Sequence, residues 1–356
     1  MKLLFLSAIK PYKGSGSGLT EYAYQLETHI KPLLASTDSL KEFFMLDKAK
    51  RNDIIGLIKV NTSFKKKLKL LPKEDFDIIH ITNQEIGFAA KVLKQAGNKA
   101  KIITTIHDLS RFEKGLHRGI MQKVYNKLII GSTKDAIKYS DFILCNSSQT
   151  KTTVSERFGE ITNIKVVLHG TSDSILKAPV HKKKSTIFNI GYIGALMKHK
   201  NVIFILNAAK YLQTKDYKFN IYGNGADANM LKNYIYKNKL SNVSLMGYLK
   251  EKDKVKTYDS FNAFIFPSLY EGFGSPILEA QARGLPVIIY KYGKIPKEVR
   301  KYCFEAESPE HMAQIIKELK ENGYNERLKK KATEYARSFT WEKTAKETLG
   351  VYKTVV

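Results

Sequence analysis

Cysteine is scarce: Cys145 and Cys303 are the only two in 356 residues, and they stand far apart. That excludes a disulfide framework and a thiolate zinc site, and it suits a reducing compartment. Long apolar runs are missing as well. Leu3 to Ile9 is too short to span a bilayer and carries no small-residue cleavage site, so it reads as a buried first strand. Acidic residues are in deficit: 34 Asp and Glu against 60 Lys and Arg leave a formal charge of +26, shared by both halves of the chain. Such an excess favours anionic partners, whether nucleotide phosphates, acidic lipid headgroups or nucleic acid, while a solvated lysine-rich surface accounts for most of it. The length suits two α/β domains.

What the sequence does contain is centred on Phe266 to Val287, FPSLYEGFGSPILEAQARGLPV. An apolar run ending at Phe266 reads as a strand, Gly272 and Gly274 make a loop, and helical spacing restarts around Pro276. Free amides at a helix N-terminus, with glycines that admit a ligand to the backbone, suit phosphate. Glu271 and Glu279 flank the loop, and carboxylates beside a phosphate are better matched to hydroxyl groups. Phosphate next to hydroxyls points to a nucleotide sugar.

The seven residues between Glu271 and Glu279 form the E-x7-E spacing, and here the chain closely resembles the family-4 retaining glycosyltransferases of the GT-B fold. The resemblance implies two Rossmann-like domains facing across a cleft. It places Glu279 on the donor ribose and Glu271 against the transferred sugar, with the amides of Gly272, Phe273, Gly274 and Ser275 on sugar and diphosphate. Ile277 and Leu278 continue the donor loop. In GYIGALMKHKN the resemblance assigns the diphosphate to Lys200, helped by Lys198; the arginine common in the family is replaced, since Ala195 follows Gly194. Val243 to Tyr248 matches the segment beside the nucleobase, with Tyr248 at its end. His107, in a His-Asp pair at a strand end, matches the cleft histidine that donates a hydrogen bond to a sugar hydroxyl. The resemblance also places the loop Lys10 to Gly18, GSGSG within it, on the opposite side of the cleft through Gly16 and Gly18, although the family's usual Gly-Gly pair reads Ser17 and Gly18 here.

Elsewhere, β-rich runs alternate with helical stretches, which indicates parallel sheets. Pro179 and three lysines mark Lys177 to Ser185 as a linker, giving domains over 1–180 and 181–339, with a terminal helix over about 340–356 crossing back to the first. Asp75 and Asp77 form a D-x-D, but ahead of a strand, where Rossmann-type ligands do not gather. No metal or cofactor is therefore expected. Two basic apolar segments, Ser63 to Leu71 and Arg111 to Gly131, either lie on an anionic membrane or pack on the core with a solvated basic face. The reading is a metal-independent hexosyltransferase that uses a UDP-, GDP- or ADP-sugar and a glycan, lipid-linked or protein acceptor. It is expected in the cytoplasm, with peripheral membrane contact as an option and no nucleic-acid partner. The rivals are an epimerase or hydrolase of nucleotide sugars on the same fold, and a non-catalytic basic protein binding membrane or nucleic acid.

Overall fold

The computed structural model describes residues 1–10, 18–46, 64–69, 71, 75–113, 120–181 and 185–356. The chain divides into two units, Met1–His169 with Trp341–Val356, and Gly170–Thr340. The first holds β1 (Lys2–Ile9), β2 (Ser39–Leu46), β3 (Ile78–Ile81), β4 (Lys101–Ile106), β5 (Phe142–Cys145) and β6 (Ile164–Val166). They form one parallel sheet in the order β2-β1-β3-β4-β5-β6. Side chains of a strand alternate between faces, so a sheet covered on both sides needs continuous apolar strands. β1 illustrates this. Leu4 and Leu6 pack with the Phe88–Gln95 helix on one face. Leu3 and Phe5 pack on the other with Tyr22, Leu26 and Ile30 of the Gly18–Ile30 helix.

The Trp341–Val355 helix joins that second face through Trp341, Ala345, Leu349 and Tyr352. Its last turn is tied to the sheet by a buried polar chain. The Tyr352 hydroxyl lies 2.5 Å from His80 Nδ1, His80 Nε2 is 2.7 Å from Thr105 Oγ1, and that oxygen is 3.1 Å from the Tyr22 hydroxyl. The chain satisfies polar groups that would each be costly to bury alone.

The second unit repeats the plan with β7 (Phe188–Ile193), β8 (Tyr217–Tyr222), β9 (Val243–Gly247), β10 (Ala263–Phe266), β11 (Val287–Tyr290) and β12 (Phe304–Ala306). Its parallel order is β12-β11-β10-β7-β8-β9. Both sheets run outward in one direction and then return to the other side of their first strand. The resulting switch points lie between β1 and β3 and between β7 and β10, where open α/β sheets leave a crevice at the strand C-termini. The fold is two Rossmann-like units.

The division at Gly170 falls ahead of the lysine-rich run, and Arg283 shows why. Its guanidinium is fully buried and grips Asp259 through Nε at 2.9 Å and Nη2 at 2.6 Å. It also donates to the carbonyls of Ile175, Ala178 and Pro179, so this stretch is fastened to the second unit. Asp77 accepts from the Lys2 amide at 2.7 Å where β3 begins, which makes the D-x-D a strand-entry turn. In the first basic segment Phe64 and Leu68 are buried in the core while Lys65, Lys66 and Lys67 are exposed. Its apolar residues therefore pack on the core, and its lysines face outward. Residues 114–119 of the second segment lie outside the described residues.

Candidate functional site

The site in the second unit is built from three loops at the C-terminal ends of β7, β10 and β11, which are neighbours in the sheet. After β10 the chain bends at Leu269 and passes through a bridge between Tyr270 and Lys294 to Glu271. The Glu271 amide donates to the Lys294 carbonyl, and the Lys294 amide to the Leu269 carbonyl, both at 2.9 Å. Gly293 is required for that approach, because a Cβ there would stand 2.2 Å from the Ser268 carbonyl oxygen. From the other side, the loop after β7 is stitched on by Leu269 N–H to the His199 carbonyl at 2.7 Å and by Asn201 Nδ2 to the Pro267 carbonyl at 3.2 Å.

Glu271 and Lys200 meet across this seam. Lys200 Nζ lies 2.6 Å from Glu271 Oε1, although 71 positions separate them, and the pair spans the switch point between β7 and β10. The Lys200 ammonium also stands 5.4 Å from the centre of the Phe266 ring. Glu271 is 7% exposed, and its charge, after burial itself, helps to hold the Tyr192 phenol far above its ordinary range. Tyr192 thus stays neutral and donates a hydrogen bond to the Ala195 carbonyl at 3.0 Å. Lys198 lies on the same short turn as Lys200.

The Ser275–Ala282 helix begins at Gly274, whose φ of 100° and ψ of 42° lie in the left-handed region that only glycine adopts without strain. Gly274 offers no capping side chain of its own, and Pro276 brings no N–H. The dipole of the helix therefore faces the loop of Gly272 and Phe273. Phe273 is buried against Phe339 at 6.3 Å. Ile277 and Leu278 are fully buried, so only their backbone is left to serve a ligand.

Glu279, one turn into that helix, is 4% exposed. Each of its oxygens has a donor: Lys254 Nζ at 2.7 Å from Oε1, and the Tyr258 hydroxyl at 2.7 Å from Oε2. Lys254 and Tyr258 lie one turn apart on the Lys254–Asp259 helix, and Glu251 Oε2 approaches the same ammonium at 3.5 Å. Sequence reading missed Lys254 and Tyr258. The signal available was their i, i+4 spacing just ahead of β10, which alone does not say what they touch. Tyr248 is 55% exposed at the end of the edge strand β9. Among the described residues no hydrogen bond, ion pair or ring contact joins it to the Glu271–Glu279 loop.

In the first unit, the switch point between β1 and β3 carries a small, open depression lined by Ser7, Ala8, Ile9, Leu19, Thr20, Ala23, Thr82, Asn83 and Glu85. Gly18 begins the helix at its rim, whereas Gly16 lies outside the described residues. His107 follows β4 and is buried. Its Nε2 is 2.7 Å from the Thr82 carbonyl, and a carbonyl only accepts, so the proton sits on Nε2. Burial lowers its pKa to about 4, which keeps the ring neutral and Nδ1 bare. The expected donor is thus corrected to an acceptor: Nδ1 can receive a hydroxyl proton but has none to give. Tyr22 packs edge-on against His107 at 4.5 Å and stacks on His169 at 4.8 Å.

Comparison with known proteins accords with this geometry. An Escherichia coli UDP-Gal:alpha-D-GlcNAc-diphosphoundecaprenol alpha-1,3-galactosyltransferase is 27% identical over 71% of this chain and 66% of its own length. An uncharacterised glycosyltransferase of Methanocaldococcus jannaschii is 25% identical over 99% of this chain and 98% of its own. The structure of Anabaena HepE, solved in complex with UDP and glucose, superposes with a TM-score of 0.71 at 17% identity, covering 98% of this chain and 99% of that one. Residues 54–174 match the model described as Glycosyltransferase Family 4, and residues 174–339 the model described as Glycosyl transferases group 1. With these two matches running consecutively over two Rossmann-like units, the chain belongs to the GT-B glycosyltransferases of the family-4 type.

Proposed function

We propose that this glycosyltransferase moves a sugar from a nucleoside diphosphate to an acceptor hydroxyl with retention of configuration and without a metal. The observation that carries this reading is the Lys200–Glu271 pair across the β7/β10 switch point, beside a helix that begins at Gly274. A diphosphate at that helix end would draw on three sources of positive potential: the Lys200 ammonium, Lys198 on the same turn, and the helix dipole. As the bond to the anomeric carbon breaks, charge grows on the departing phosphate, and a fixed ammonium stabilises that state more than the intact donor. Glu279 accepts from the ribose hydroxyls and Glu271 orients the transferred sugar. His107 Nδ1 accepts from a sugar hydroxyl. Attack comes from the face the leaving group vacates, with a donor phosphate oxygen taking the acceptor's proton.

The UDP-sugar used by the Escherichia coli relative and the UDP bound in the Anabaena structure make UDP-sugars the first donors to try. That relative's lipid-linked acceptor, together with the exposed Lys65, Lys66 and Lys67, supports action at an anionic membrane surface from the cytoplasm. The deciding experiment is a thermal-shift screen of nucleotide sugars, followed by donor titration of Glu279→Ala. A folded variant should bind its donor more weakly by about 1 to 3 kcal/mol, the scale of a hydrogen bond to a charged group. Unchanged affinity would remove Glu279 from the donor site, and donor turnover that never requires an acceptor would indicate a hydrolase or epimerase instead. Activity should survive EDTA; a loss restored by manganese would overturn the metal-free reading.

A further inference from the structure

Each carboxylate of the E-x7-E motif has its own lysine from a different part of the unit, at 2.6 Å for Glu271 and 2.7 Å for Glu279. Lys200 belongs to the loop that the proposed function assigns to the diphosphate. Lys254 lies on the helix ahead of β10 and reaches Glu279 from there, alongside Tyr258.

An ionised carboxylate has two acceptor positions on each oxygen. Lys254 occupies one on Oε1 and Tyr258 one on Oε2, which leaves one on each. Tyr258 is fully buried, so its hydroxyl stays neutral and acts as a fixed donor. The lysine side chain is 19% exposed and the carboxylate side chain 5%, so both oxygens are pinned with little room to turn. Two acceptor positions, one on each oxygen and separated by the width of one carboxylate, suit two adjacent hydroxyls on the same face of a five-membered ring. A group with only one of those hydroxyls would leave a buried acceptor unmet, and such mismatches are where a polar site discriminates most strongly.

We infer that Lys254, with Tyr258, is a positioning residue that orients Glu279 to read the cis-diol of a ribonucleotide and to reject its 2′-deoxy counterpart. The inference rests on the nucleotide-sugar reading of this site and adds the residues that set its selectivity for the pentose. Lys254 acts through Glu279; Lys200 acts on the phosphates. Substitution of the two lysines therefore has different consequences.

The test uses the full chain and calorimetric titration with UDP, ADP and GDP, each beside its 2′-deoxy form. The wild type should prefer at least one ribonucleotide by about tenfold or more, the scale of one hydrogen bond to a charged group. Lys254→Met should lose most of that preference by weakening the ribonucleotide while leaving the deoxy form nearly unchanged, and Lys254→Arg should keep it. Lys200→Met should instead weaken both forms alike. If Lys254→Met does not fold, Lys254→Gln and Tyr258→Phe provide the same ratio. A folded Lys254 variant that keeps the wild-type ratio overturns the inference even if nucleotides bind well. A wild type that binds none of the three diphosphates fails at an earlier step, by removing the nucleotide-sugar reading itself.

Discussion

Acid should destabilise the first unit through its buried histidines. His80, His107 and His169 lie in one cluster with Tyr22, and all three are held neutral by burial. Burial lowers His80 to about 3 and His107 to about 4, and lowers His169 well below its ordinary range. In the unfolded chain each returns to about 6.5. As pH falls below that value the unfolded state takes up protons that the folded state refuses. Stability is therefore complete above about pH 6.5 and is lost as pH falls toward the folded values. For His107 alone, from 6.5 to about 4, the loss by pH 4 is on the order of 3 kcal/mol. A domain stable by roughly 5 to 15 kcal/mol does not survive several such losses.

The protein carries its own probe for this, because its single tryptophan, Trp341, is buried 5.5 Å from His169. Urea unfolding followed by Trp341 emission should show a midpoint that falls steadily from about pH 6.5 downward. His107→Gln, which removes one of the refused protons, should make that slope shallower by about one proton, or about 1.4 kcal/mol per pH unit. A wild-type midpoint that is flat between about pH 7 and pH 4.5 would refute the argument, as would an unaltered slope in the variant.

Three further outcomes are expected. Lys200→Ala also strands the buried Glu271 carboxylate and so lowers stability, but the folded variant should cut turnover at saturating donor by roughly a hundredfold or more, since the lysine's charge counts most as the diphosphate departs; normal turnover would move that work to Lys198. Arg283→Met should cost about 3 to 5 kcal/mol, because it strands the buried Asp259 carboxylate and frees three carbonyls near the linker. Denaturant melts that differ by less than about 1 kcal/mol would show the network to be dispensable. Vesicle sedimentation should show binding to anionic but not neutral lipid, lost at high salt, because Phe64 and Leu68 are committed to the core and only lysine charge faces outward; pelleting undiminished when Lys65, Lys66 and Lys67 become Ser would sink it.

The two-sheet α/β plan and the loop-helix unit around Glu271 and Glu279 were legible because both are local. Apolar runs of four to eight residues separated by helical spacing specify strands and helices, and a strand, glycine loop and helix in succession place both carboxylates on one local unit. Long-range partners were not legible. Nothing near Lys200 in the chain names Glu271, and nothing near Glu279 names Lys254; the sheet order that puts β7 beside β10 creates the first pair, and the packing of the preceding helix the second. Arg283 reads as an ordinary surface charge after a helix, yet it is fully buried because Asp259 and three backbone carbonyls converge on it. His107 was identifiable from its place after β4, but its proton position depends on the carbonyl of Thr82 from a neighbouring strand. Periodicity records how much of each element is buried, whereas hydrogen-bond direction and charge pairing depend on which elements become neighbours, and that is decided only when the chain has folded.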